Sequence, residues 1–178
     1  MAALHGPAGP YCIDRYEFPG LAGATPAGGL DLAAARARCE GVGKRVCTEG
    51  EWMAACAGAQ GRRWPYGDLL QAGRCSDASD HAAGPDRIGG EPLPAGSKTD
   101  CVSPEGVYDL SGNLWEWTVD AGGPSSGAAS LRGGGWELSA GLGQCRSVAR
   151  ADAQRGAAEF GVRCCASPDE AAALRGGP

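Results

Sequence analysis

The residues of this 178-residue chain best equipped for chemistry are nine cysteines and two acidic side chains that bracket one short turn. In Val107-Tyr-Asp-Leu-Ser-Gly-Asn-Leu-Trp-Glu-Trp117, Asp109 and Glu116 are hard oxygen donors flanking Ser111-Gly112-Asn113. A tight turn cannot pair all of its carbonyls, and calcium is held by carboxylates together with backbone oxygens. The same residues also suit a surface turn leading into a Trp-Glu-Trp strand, with both tryptophans on one face and Glu116 opposite. Composition alone favours that plainer reading.

Nine cysteines are many for a reducing compartment, and an odd count leaves at least one thiol unpaired or intermolecular. The chain has no Cys-x-x-Cys, only the adjacent Cys164 and Cys165, and its two histidines, His5 and His81, lie in Gly/Pro-rich surroundings. A zinc cage would have to gather ligands from distant loops, so disulfides and an extracytoplasmic setting (periplasmic or secreted) are the preferred reading. The N-terminus lacks the charged-then-apolar layout of a signal peptide.

These groups must be positioned by a chain with 31 glycines and 12 prolines, about twice ordinary usage, which disfavours long helices. A net charge of −5 without a basic block argues against nucleic acid as a partner, and no apolar run is long enough for a membrane span. Residues 1–10 are expected to be a flexible lead-in, 11–167 one domain, and 168–178 a frayed Ala-rich tail. Tyr11 to Phe18 reads as a short strand. Asp31 caps a helix running to about Glu40, with Leu32, Ala35 and Cys39 on one face. Thr48-Glu-Gly-Glu51 is a capping box that opens a second helix to Ala57, with Trp52 and Cys56 turned to the core. Gly58 to Glu105 is a long run of turns that a disulfide or a metal must pin. Gly133-Gly134-Gly135 lacks the helix start and lysine of a phosphate loop and is assigned to close backbone packing beside Trp117 and Trp136.

Taken in order, Tyr11-Cys-Ile-Asp-Arg-Tyr-Glu17, Gly43-Lys-Arg-Val-Cys-Thr-Glu-Gly-Glu-Trp52, Trp64-Pro-Tyr-Gly67, Gly106 to Trp117, Arg132-Gly-Gly134 and Gly161-Val-Arg-Cys164 resemble the formylglycine-generating enzyme, or sulfatase-modifying factor, family. The resemblance spans Tyr11 to about Ala166, without the family's usual first strand and Gly-rich turn. It implies an α+β fold of irregular C-type-lectin-like type, with short antiparallel strands, two helices, long loops, and paired N- and C-terminal strands. It also implies calcium bound by the side chains of Asp109 and Glu116 and the carbonyls of Gly112 and Leu114, and it tips the reading of that turn toward calcium. Two disulfides carry over, Cys39–Cys164 and Cys56–Cys145, and Cys75–Cys101 is a further guess.

Members of that family oxidise a client sulfatase cysteine to formylglycine with a copper(I) ion held by two thiolates, four and nine residues beyond Arg-Gly-Gly. Here those positions are Leu138 and Gly143, neither of which binds metal through its side chain, so no copper is expected. Cys145, the nearest thiol, is claimed by Cys56. The other pairings, such as Ser147 with His81, have nothing to orient them as a triad. The resulting reading is a non-catalytic binding module, stabilised by calcium and disulfides, that recognises a protein or glycan. Its contact residues are Trp136, Glu137, Leu138, Gln144 and Arg146. A formylglycine-generating oxidase with another thiol arrangement, or a structural domain of an envelope assembly, are the alternatives.

Overall fold

The computed structural model describes residues 1–81, 91–120 and 129–176. Two four-stranded sheets share the chain. One has the order β1 (Ala2–Gly6), β2 (Gly9–Ile13), β8 (Cys164–Ala166), β3 (Arg45–Val46). The other has the order β6 (Val148–Ala149), β5 (Ala129–Arg132), β4 (Trp115–Val119), β7 (Phe160–Val162), with β4 and β7 parallel. This is the α+β arrangement of short strands and long connections that the family resemblance implies.

Helices α1 (Leu32–Glu40) and α2 (Glu49–Ala57) form where local chemistry dictates. Asp31 Oδ1 accepts the Ala34 amide at 2.7 Å, and Thr48 and Glu51 complete their reciprocal cap. Each helix covers a sheet. Trp52, Ala55 and Cys56 of α2 pack with Tyr11, Ile13 and Cys165 of the first sheet, whereas Leu32, Ala35 and Cys39 of α1 pack with Trp117, Leu131 and Val162 of the second.

Both ends of the chain depart from expectation. Residues 1–10 are no flexible lead-in, because β1 forms a hairpin with β2 around Pro7-Ala8, which also supplies the first strand and turn that seemed missing. The strand starting at Tyr11 stops at Ile13, since Asp14 turns to Lys44 and Glu17 turns inward. The tail is likewise ordered. Ser167 and Glu170 form a capping box, Pro168 occupies the first turn, and α4 runs Pro168–Arg175 with Ala171 buried. Among the described residues the two expected helices become four with α4 and the single turn α3 (Ala78–His81).

Four disulfides staple the loops. Cys39–Cys164, Cys56–Cys145 and Cys75–Cys101 join as the sequence suggested, and Cys47–Cys165 is the pairing it did not reveal. Cys12 remains a buried free thiol.

Candidate functional site

The turn from Asp109 to Glu116 lies at the centre of the molecule. Asp109 and Asn113 both adopt left-handed backbone, with φ of 59° and 60°. Between them Gly112 has φ of 76°, and a Cβ there would stand 1.8 Å from the Ser76 carbonyl oxygen, so only glycine fits. Ser76 in turn accepts the Asn113 amide at 3.1 Å, which ties the turn to the loop that Cys75–Cys101 closes.

From the turn, β4 carries Glu116 into the interior, where it is fully buried. This corrects the plainer reading of an outward Glu116, because both faces of β4 are covered. The Glu116 carboxylate accepts Nη2 of Arg163 at 2.7 Å and Nε at 3.1 and 3.2 Å, and Oε2 also accepts the Trp52 indole N–H at 2.7 Å. Arg163 also donates from Nη1 to the Asp14 carbonyl and from Nη2 to the Tyr108 carbonyl. Glu17, also fully buried, accepts the Leu114 amide at 3.0 Å and the Asn113 side-chain amide at 2.6 Å. Asp109 accepts the Gly96 amide at 2.7 Å on Oδ2.

Three buried carboxylates therefore lie within the field of one guanidinium, which bonds to Glu116 alone. Burial, followed by the charges of Asp109 and Glu116, raises the Glu17 carboxyl well above its ordinary value. Burial, with a further push from Glu116, raises Asp109 to about 6, against the pull of the Gly96 amide and Arg163. Burial alone would lower Arg163, but its pairing with Glu116 outweighs that and raises it.

The four expected calcium ligands are accordingly not equivalent. The surplus of buried negative charge suits a cation beside Asp109. Neither the Gly112 nor the Leu114 carbonyl accepts a backbone hydrogen bond among the described residues. Glu116 does not fit as a direct ligand, because both of its oxygens are engaged and a guanidinium lies against them. Among the described residues no group of three or more His, Cys, Asp or Glu converges as a metal cage, so any ion here depends on backbone oxygens.

Next to this turn lies the segment holding the positions of the family's thiolates. Ser111 donates to the Gly143 carbonyl at 2.6 Å, and the Gly112 amide donates to Gly133 at 3.0 Å. A Cβ on Gly134 would stand 3.3 Å from both a Leu138 methyl and the Gly143 Cα, so Leu138 and Gly143 are neighbours in space. The room left among Tyr66, Ser76, Ser111, Leu138 and Gly143 is about 10 Å³, space for one water at most. Cys145, one step beyond, is bonded to Cys56. The Gly-rich strand end packs on Trp52 at Gly133 and on Trp115 at Gly135.

Of the expected contact residues, Glu137 and Arg146 are exposed, and Leu138 and Gln144 half-buried. Trp136 is only 6% exposed, so its ring supports the segment from beneath and cannot serve as a contact. Trp115 instead reaches this surface, its indole N–H donating to Glu137 at 2.8 Å. The residues that sequence reasoning passed over are Glu17, Trp52, Asn113 and Arg163, all buried. Glu17 and Arg163 stand in the quoted Tyr11–Glu17 and Gly161–Cys164 segments, but nothing local marks Glu17 as the partner of Leu114, 97 residues away, or Arg163 as that of Glu116, 47 residues away.

The chain is 35% identical over 99 residues to the inactive C-alpha-formylglycine-generating enzyme 2 of Bos taurus, covering 48% of this chain and 29% of that protein. It is 34% identical over 118 residues to the formylglycine-generating enzyme of Streptomyces coelicolor, covering 53% and 36% respectively. It thus spans roughly a third or less of the length of these relatives. Treponema denticola variable protein 1 shares the fold, with a TM-score of 0.67 at 15% identity over 90% of this chain and 85% of that one. Residues 20–168 match the family described as the sulfatase-modifying factor enzyme 1-like domain, and the chain belongs to that family.

Proposed function

We propose that this chain is a non-catalytic binding module of the sulfatase-modifying factor family that recognises a protein or glycan partner outside the cytoplasm. The observation that carries the reading is the filling of the thiolate positions. Leu138 packs against Gly134 beside Gly143, almost no space is left between them, and the nearby sulfurs of Cys145 and Cys75 are both already in disulfides. Soft thiolates are what copper(I) requires, and Leu138 and Gly143 supply none.

The surface around Glu137, Leu138, Gln144 and Arg146 is held by Cys56–Cys145, by the Ser111–Gly143 hydrogen bond and by the buried Trp136. Recognition is commonly carried by loops fixed on a rigid frame in this way. Calcium is assigned to Asp109 with the carbonyls of Gly112 and Leu114, where it would offset the surplus charge of Glu17 and Asp109. Glu116 contributes there through its buried charge. The four disulfides support an oxidising compartment. No described helix is long and apolar enough to cross a membrane.

The test pairs two measurements on the oxidised protein. A client peptide containing Cys-x-Pro-x-Arg, incubated with protein, copper and oxygen, should keep its thiol by mass spectrometry. A glycan array and a pull-down from envelope extracts should return a ligand whose binding Glu137→Ala and Arg146→Ala weaken together. Conversion of the peptide to an aldehyde would establish the oxidase alternative, and partner binding indifferent to both substitutions would remove the contact assignment.

A further inference from the structure

We infer that the open edge of β1 is a second interaction surface, one that captures an extended segment of another protein as an added strand. The argument starts from the hydrogen-bond phase of the hairpin. The register pairs Ala2 with Ile13, Leu4 with Tyr11, and Gly6 with Gly9, alternating with Ala3–Cys12 and His5–Pro10. The Asp14 amide donates to the Cys164 carbonyl at 2.9 Å, so even-numbered residues of this stretch turn their backbone groups toward β8, and odd-numbered ones toward β1. Pro10, which has no N–H, fits the same phase. The backbone groups of Ala2, Leu4 and Gly6 thus face β2, and those of Ala3 and His5 face away from the sheet.

Among the described residues β2 is the only strand neighbour of β1. Natural edges are usually blunted by lysine, proline, a bulge or an inward charge. The strand Ala-Ala-Leu-His-Gly has no lysine or proline, and its register runs without a bulge. Ala3 and His5 are exposed.

The edge is also flanked by a groove on each face, which is what an added strand needs, since its side chains point alternately to opposite faces. On the α4 side a cavity of about 500 Å³ is lined by Leu4, His5, Pro10, Cys12, Pro168 and Arg175. On the α2 side one of about 380 Å³ is lined by Leu4, Pro7, Ala54, Gly58 and Glu105. The charges differ between the two. Arg175 has no ion-pair partner among the described residues and borders the first groove, while Glu105, paired to Arg62 at 3.0 Å, borders the second. The complementary occupant is an extended segment with a carboxylate on the face turned to α4 and small apolar side chains on the face turned to α2. β1 of a second copy, Ala-Ala-Leu-His-Gly, carries no carboxylate to meet Arg175, so the partner is a different sequence.

The probe is the blocked peptide Thr-Val-Glu-Val-Thr, with a control carrying lysine in place of glutamate. Hydrogen exchange read residue by residue should show the Ala3 and His5 amides slowing with the first peptide while Leu4 and Gly6, already bonded to β2, stay unchanged. His5→Pro removes one outward N–H without touching the hairpin ladder and should weaken binding about threefold or more, the loss of one backbone hydrogen bond. Arg175→Glu should reverse the preference between the two peptides, each side of that reversal being a few-fold, as for an exposed ion pair. Absence of the alternating protection at saturating peptide would overturn the inference, and that measurement on the wild-type protein does not depend on any variant folding. Protection of Ala3 and His5 that rises with protein concentration alone would overturn it too, in favour of self-association.

Discussion

Cys164 and Cys165 are adjacent on β8, yet their disulfides run to opposite faces of the strand, one to Cys39 at the end of α1 and the other to Cys47 just after β3. Taken singly, these bridges close loops of 125 and 118 residues, and loop-closure entropy values each at about 4.9 kcal/mol. They are not independent, however. While Cys47–Cys165 is intact, the long loop stays closed, and Cys39–Cys164 adds only a ring of roughly ten residues, worth about 2.7 kcal/mol. Cys56–Cys145 still closes most of the long loop in these variants, so the second bridge to go opens a ring of roughly thirty residues, worth about 3.6 kcal/mol. Removing either bridge as a Cys-to-Ala pair should therefore cost about 2.7 kcal/mol, and removing both about 6.3 kcal/mol, some 0.9 kcal/mol beyond the sum of the single losses. The measurement is urea unfolding of the oxidised protein and the three variants, with midpoint and slope both recorded so that a change in the compactness of the unfolded chain shows in the slope. Single losses near 5 kcal/mol that simply add would refute the nesting of the two loops.

Arg163→Met should destabilise by about 3–5 kcal/mol, measured by the same unfolding titration, because Glu116 is left buried with only the Trp52 indole as partner. Calcium at 100 times its dissociation constant should stabilise by about 2.7 kcal/mol, a rise in melting temperature of roughly 5–10 °C. Asp109→Asn should abolish that response to chelation and re-addition, whereas a melting curve indifferent to calcium in the wild-type protein would return Asp109 to an ordinary turn. Burial alone would raise the Glu51 carboxyl, but its hydrogen bonds from Arg45 and Thr48 outweigh burial and hold it below the usual carboxylate range. Its stabilising contribution is thus present above the ordinary carboxylate pKa and lost as pH falls through the depressed value. Glu51→Gln should cost about 1 kcal/mol at pH 7 and progressively less in acid, read from denaturation midpoints across pH 2–7.

Local chemistry was legible, and of the long-range pairings only the disulfides carried over from the family resemblance were. Asp31 and the Thr48–Glu51 box announce α1 and α2 because the residues that cap a helix lie within four positions of one another. The Ser167-Pro168-Asp169-Glu170 cap of α4 is the same kind of signal, masked by the expectation that an Ala-rich terminus frays. β1 has no β-branched residue, and it is a strand because Pro7-Ala8 folds it back onto β2, which propensity does not register. At the site, Asp109 and Glu116 stand out by their spacing around a turn. The partner of Glu116 is 47 residues away, between two short strands, and Glu17 meets Leu114 across 97 residues. Which carboxylate keeps a free oxygen for a cation is decided by those distant groups, so the turn alone could not separate Asp109 from Glu116.

The placement of β8 has a consequence for how the chain is made. It is the last strand among the described residues, yet it lies between β2 and β3 in its sheet, and only Arg163 separates it from β7 of the other sheet. During vectorial synthesis the N-terminal hairpin, α1 and α2 all emerge well before the strand that joins them. β2 has no inner neighbour, and Cys39 and Cys47 have no native partners, until β8 has been made more than a hundred residues later. Assembly is therefore dominated by contacts distant in sequence, which is the slow and aggregation-exposed regime of folding. In an oxidising compartment Cys39 and Cys47, eight residues apart, wait together for adjacent partners that arrive last, and a disulfide isomerase that keeps them from closing on each other should raise the yield of native protein.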